Sequence, residues 1–308
     1  MMYLLVLSLA TLGASMNYTD DLARDISLPL SAALYSSDSS KCLQERLKAL
    51  QVDKFLVNVK GGSCSGLIAI LPQSSQLQPT VALAFNADIS EPQTFDDFKK
   101  LFFPLKDWQH EGKVSRFLKE SFGKLWRRGG MRKRFQEIVE EQKNQEVLIT
   151  GHSFGGGLAA LVALDIVKEE LADKDKVTLI TLGQSMVGDE DFAKAYEQQV
   201  EHSFRVVRRG DSIPHVPGKE HKYEYNGKEV FYETEEMQSN GSTGFKICKP
   251  FKFAWRYKGE GLCGDTKGKV CITIHLANLT WRYIWRGWQY ISRYFLFGNA
   301  FDGLRLPG

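Results

Sequence analysis

Apolar positions along the 308-residue chain fall into short runs separated by longer stretches of helical spacing. The runs Phe55 to Val59, Leu67 to Leu71, Val81 to Phe85, Val147 to Thr150, Val177 to Leu182 and Phe204 to Val207 have the length and the β-branched and aromatic content of buried strands. Between them, Val114 to Trp126, Met131 to Lys143 and Phe154 to Leu171 read as helices; in the last, Leu158, Leu161, Val162 and Ile166 line one face. Strands interleaved with helices predict an α/β fold, a mostly parallel central sheet with helices on both faces.

Three further segments stand outside that alternation. In HKYEYNGKEVFYE, Asn226-Gly227 lies between alternating stretches and predicts a tight hairpin, and Ser239 to Lys269 reads as an irregular excursion. From Ile89 to Glu111, the aromatics Phe95, Phe98, Phe102, Phe103 and Trp108 ride on a charged background; this is either a lid or an ordinary surface helix. Near the C-terminus Trp281, Trp285, Trp288, Ile291 and Phe295 recur at helical spacing with arginines between them, an amphipathic helix that suits either the domain's own surface or a membrane interface.

At 43% hydrophobic and 25% charged residues, the chain can bury one large core, and its net charge of +3 gives no reason to expect a nucleic-acid partner. Arg127, Arg128, Arg132, Lys133 and Arg134 cluster locally and read as a solvated helix face, with an anionic lipid surface as the alternative. Residues 1–15 carry an apolar run followed by small residues, a secretory signal peptide that leaves a domain over 16–276 and an aromatic extension over 277–308. Secretion agrees with sequons at Asn17, Asn240 and Asn278 and with five cysteines, for which Cys42 with Cys64 and Cys248 with Cys263 are the expected disulfides, leaving Cys271 free. No Cys/His cluster has zinc spacing, so no metal is expected.

The chemistry concentrates where the run Glu146 to Thr150 ends in Gly151-His152-Ser153-Phe154-Gly155 and a helix begins. Strand, GxSxG turn and helix are the context of an α/β-hydrolase nucleophile elbow, with Ser153 as nucleophile and the Phe154 amide, at the positive end of the helix, aimed at the developing oxyanion. In this fold an acid and then a histidine follow the serine. Asp211, just past Phe204 to Val207, is the expected acid, with Asp189 and Asp191 behind it; His275 is the expected base, with His221 second and His215 close to Asp211.

These residues, with Cys64-Ser65-Gly66, KVSRFLKESFGKLW, TGHSFGGGLAAL, TLGQSMVGDEDFA and SFRVVRRGDSIPHVP, resemble the class 3 lipases, especially their secreted nematode members, from about Cys42 to Leu276. The resemblance implies Ser153, Asp211 and His275 as triad, a lipid ester substrate met at a lipid–water interface, a mobile lid and no cofactor; a monomer is expected. It also implies that Phe85-Asn86-Ala87-Asp88 occupies the oxyanion segment, Asp88 standing where the family carries Ser or Thr. An ionised carboxylate about 4 Å from the oxyanion would cost about 4 kcal/mol at an effective dielectric near 20, cancelling the roughly 3 kcal/mol that one oxyanion donor supplies. Asp88 must therefore be protonated or turned away in a fast enzyme; otherwise the chain is a weak or inactive lipase-fold lipid binder.

Overall fold

The computed structural model describes residues 16–90, 92–142, 145–208, 211–232 and 245–248. The segment 1–15, Asn240, Cys263, Cys271, His275, Asn278 and the extension 277–308 lie outside the described residues.

In chain order the elements are α1 (Leu28–Ala33), α2 (Ser39–Leu47), β1 (Gln51–Val59), β2 (Gly62–Leu71), β3 (Thr80–Ile89), α3 (Phe95–Phe102), β4 (Leu105–Asp107), β5 (Lys113–Ser115) and α4 (Arg116–Phe122). There follow α5 (Met131–Glu141), β6 (Glu146–His152), α6 (Phe154–Lys168), β7 (Val177–Leu182), α7 (Glu190–Gln199), β8 (Ser203–Arg208), β9 (Lys228–Tyr232) and β10 (Phe245–Cys248). The main sheet runs β1-β2-β3-β6-β7-β8-β9-β10. Its centre, from β3 to β9, is parallel, while β1-β2-β3 and β9-β10 are antiparallel flanks.

Successive strand residues point to opposite faces, and both faces are greasy because both are covered. On β3, Val81, Leu83 and Phe85 join the layer of α3, α4, α5, α6 and α7, whereas Ala82 and Ala84 join the layer of α1 and α2. On β6, Val147 and Ile149 face the first layer and Leu148 the second. The same division shows why Cys42 and Cys64 do not pair. Cys64 on β2 lies in the first layer and donates to Ser121 Oγ at 3.0 Å, Cys42 on α2 packs in the second, and both are free thiols.

Other expectations are corrected as well. Asn226-Gly227 does not make a hairpin: Glu224 bridges Gly188, and beyond the turn β9 joins the sheet parallel to β8. The turn is held from within, since buried Arg205 on β8 donates from Nε to the Asn226 carbonyl at 2.8 Å, a long-range partner that alternation cannot reveal. The helix expected from Val114 instead begins at Arg116, after β5, and continues as a wider π-helical turn over Gly123–Arg128. Within the excursion, Phe245–Cys248 is a strand on β9.

The layer beside α6 is pinned by one buried carboxylate. Asp165 accepts from Trp126 Nε1 at 2.8 Å, Gln109 Nε2 at 2.8 Å and Arg127 Nη2 at 2.5 Å, with His110 Nε2 at 3.1 Å and Arg132 Nη1 at 3.8 Å. Burial alone would raise its pKa, but the hydrogen bonds from His110, Trp126 and Arg127 outweigh that and hold it below the ordinary value. His110, Asp165 and Glu169 also have the spacing of a metal site, yet Arg127 and Arg132 supply the positive charge there. Removing one member of a buried charge cluster strands the others, so Asp165→Ala is expected to lower unfolding free energy by about 3 to 5 kcal/mol. A denaturant midpoint unchanged from wild type would refute this.

Candidate active site

Ser153 joins β6 to α6 at φ 58°, ψ −125°, a backbone conformation sparsely populated by residues with a side chain. The neighbouring glycines make the turn sterically feasible. A Cβ on Gly151 would lie 2.4 Å from the Gly155 carbonyl oxygen, and one on Gly155 would lie 2.3 Å from the Phe85 carbonyl oxygen. The absence of both side chains lets α6 and β3 close on the elbow. Ser153 N donates to Leu182 O at 2.9 Å, tying the turn to the end of β7. The Ser153 hydroxyl is buried and has no hydrogen-bond partner among the described residues.

Asp211 lies beyond β8, at the same edge of the sheet. Gly183, the residue after β7, has φ 58°, and a Cβ there would come within 2.8 Å of Asp211 Oδ2. Ser153, Gly183 and Asp211 thus follow three adjacent parallel strands at their C-terminal ends, where such sheets collect reactive groups. Asp211 Oδ1 accepts from Ile213 N at 3.0 Å. Burial pushes the carboxyl up to about 6, against the opposing effects of that amide and of Arg208.

Of the competing histidines, His215 Nδ1 lies 2.7 Å from Tyr225 OH, and the His221 ring sits 4.6 Å from that of Phe103. Asp189 caps α7 by accepting from Phe192 N at 3.0 Å.

Asp88 is the penultimate residue of β3, paired with Ser63 of β2. Strand alternation places Asn86 and Asp88 opposite Phe85, Ala87 and Ile89, on the side of α1. The Asp88 carboxyl is half-buried and raised by that burial, with a hydrogen bond from Ser90 opposing the rise. The same face holds one residue, Tyr35, that no sequence signal singled out. Tyr35, just after α1, donates to Asn86 Oδ1 at 3.0 Å and lies 3.1 Å from His152 Nδ1, bracing β3 against the elbow. Burial pushes the His152 imidazole down to about 4, so it is neutral above pH 5. Tyr35 is 117 residues from His152 and sits in no motif, which is why it was missed.

Over the elbow lies α3, capped by the Thr94 hydroxyl, which accepts from Asp97 N at 3.1 Å. Its buried face, Phe98, Leu101 and Phe102, points inward, and the rings of Phe98 and Phe102 stand 5.7 and 4.8 Å from that of Phe154. Arg116 Nη2 donates to Lys100 O at 2.6 Å and Tyr223 OH donates to Phe103 O at 3.1 Å, holding its C-terminal end.

Comparison with known proteins agrees with this geometry. The family model "Lipase (class 3)" matches residues 82–221. A lipase of Caenorhabditis elegans is 31% identical over 199 residues, covering 62% of this chain and 54% of that protein. A secreted mono- and diacylglycerol lipase of Malassezia globosa is 32% identical over 98 residues, covering 32% of this chain and 30% of that one. The chain therefore spans about half the length, or less, of these curated relatives. Lipase II from Rhizopus niveus superposes with a TM-score of 0.58 at 19% identity, covering 75% of this chain and 84% of the other, a likeness of fold. Residues 82–221, which include the GxSxG elbow, thus match the class 3 lipase family, and the sheet around them has the α/β-hydrolase fold.

Proposed function

We propose that this chain is a secreted serine hydrolase that cleaves carboxylic ester bonds of lipids. The observation that carries the proposal is the elbow: Ser153 held at φ 58° between two glycines that tolerate no Cβ, with an unpartnered hydroxyl at the start of α6. The acylglycerol specificity named for the Malassezia relative supports the substrate class, and that relative's secretion, with the leader-like segment 1–15 and exposed Asn17, supports the compartment.

In the proposed reaction Ser153 Oγ attacks the ester carbonyl carbon while His275 takes its proton and Asp211 orients the imidazole. The carbonyl oxygen becomes an oxyanion, met by the Phe154 amide at the positive end of α6 and by an amide of the Asp88 segment. Collapse expels the alcohol, which takes the proton from His275. Water then attacks the acyl-serine, giving its proton to His275, and the fatty acid leaves as Ser153 is regenerated. No cofactor is required. The α3 helix is the proposed lid, its inward face covering Phe154 in water and meeting lipid when it swings out.

A second reading, a lipid binder with weak turnover, rests on the Asp88 carboxylate on the oxyanion strand. Covalent labelling by a fluorophosphonate separates the two. The expected result is a single adduct mapping to the peptide that contains Ser153; an unlabelled protein that still binds lipid esters would select the second reading.

A further inference from the structure

The basic run read from the sequence does not survive folding as one patch. Arg132 pairs with Glu169 at 3.3 Å, Arg134 with Asp53 at 2.8 Å and Lys133 with Glu137 at 3.9 Å. Folding builds a different one. Lys106 from β4, Arg116 and Lys119 from α4, and Arg127 and Arg128 from the π-helical turn surround a surface depression of about 520 Å³, with Glu120 as the single acid on its lining. Arg127 is neutralised by Asp165 and Glu169. The other four make no ion pair within 4.0 Å among the described residues; Arg116, Lys119 and Arg128 spend one donor each on the carbonyls of Lys100, Asp107 and Gly123, leaving other donors open.

We infer that this depression is a docking site for the phosphate headgroups of an anionic lipid surface. Four like charges brought together by three separate segments, with Glu120 the single acid on the lining and in no ion pair with them, repel one another and attract an anion. The position favours a lipid surface as the source of that anion. Arg116 lines the depression and also donates to the Lys100 carbonyl near the end of α3, the helix whose apolar face covers Phe154, so a surface that receives α3 also reaches these cations. Two guanidinium groups and two ammonium groups suit phosphate oxygens, through bidentate and point-charge contacts respectively. This inference rests on the proposed action at lipid interfaces for its choice of ligand, although headgroup binding itself needs no catalysis.

The test is vesicle sedimentation at physiological ionic strength, in the Ser153→Ala background so that no lipid is consumed. Phosphatidylcholine vesicles are compared with phosphatidylcholine mixed with phosphatidylglycerol. The parent protein should prefer the anionic vesicles, and Lys106→Gln/Lys119→Gln/Arg128→Gln should bind them on the order of a hundredfold more weakly, since each basic residue near such a surface contributes about fivefold. A control with the same loss of charge elsewhere, Lys41→Gln/Lys48→Gln/Lys174→Gln, should change binding less than threefold. Equal loss in both variants, or no preference for the anionic vesicles, would overturn the inference. Hydrolysis of a soluble short-chain ester by the triple variant carrying native Ser153 should match wild type. If wild type hydrolyses nothing yet the site-specific binding persists, the proposed function fails and the docking site stands.

Discussion

Ser153→Ala is expected to lower kcat for ester hydrolysis by on the order of 10⁶, the loss typical when the nucleophile of a serine triad is removed. The elbow is the reason for so large an effect. Its backbone at φ 58° raises one hydroxyl at the end of β6, and no other described group at that position offers an attacking atom. The fold should not suffer. Ser153 Oγ is buried without a hydrogen-bond partner among the described residues, so deleting it removes a desolvation cost, and stability should stay level or rise by about 1 kcal/mol. Hydrolysis of short-chain and long-chain acyl esters, together with a denaturant titration, checks both halves. Activity within tenfold of wild type would remove Ser153 from the mechanism.

Asp211→Asn should leave the geometry in place and reduce kcat by about 10⁴ at pH 8, because an amide in place of the carboxylate favours the wrong imidazole tautomer and no longer stabilises the imidazolium. The Ile213 amide can still donate to the remaining side-chain oxygen, so the loop keeps its shape. Stability moves the other way. Burial raises the folded-state pKa of Asp211 to about 6 from its ordinary 3.8. Its contribution is therefore fully present below pH 4 and is lost as pH rises through 6. Above that the folded protein carries a buried charge costing about 2 kcal/mol, after allowance for solvent screening, and the asparagine variant escapes it. Wild type should thus lose stability relative to Asp211→Asn between pH 4 and pH 7, even as its activity rises over the same window with ionisation of the acid. Parallel stability curves would show that Asp211 is not held in this environment.

Much of the architecture was legible in the chain. Val81 to Phe85, Val147 to Thr150 and Val177 to Leu182 reveal strands because a sheet buried on both faces needs unbroken apolar runs, and each forms part of β3, β6 and β7. The elbow was legible for a local reason: the glycines, the serine and the start of α6 lie within five residues, and their steric demands are met by near neighbours. The hairpin at Asn226-Gly227 was misread because a turn signal says that the chain reverses locally, not which strand the next segment joins; the buried Arg205 and the free edge of β8 decided that. That β3 runs on past Phe85 through Asp88 was not legible, because the pairing of Asp88 with Ser63 depends on β2, which no feature of Phe85 to Asp88 announces.

By itself, then, the sequence determined which segments are strands and helices, where the nucleophile turn lies and which family the chain resembles, since these follow from periodicity and from contacts a few residues apart. Only the tertiary structure decided what depends on distant partners. It put Cys42 and Cys64 on opposite faces of the sheet, brought Tyr35 to Asn86 and His152, laid Phe98 and Phe102 on Phe154, and gathered Lys106, Arg116, Lys119 and Arg128 while consuming Arg132 and Arg134 in ion pairs. Charges and side-chain hydrogen bonds act over a few ångströms of space irrespective of chain separation, so their pairing exists only once the layers have closed.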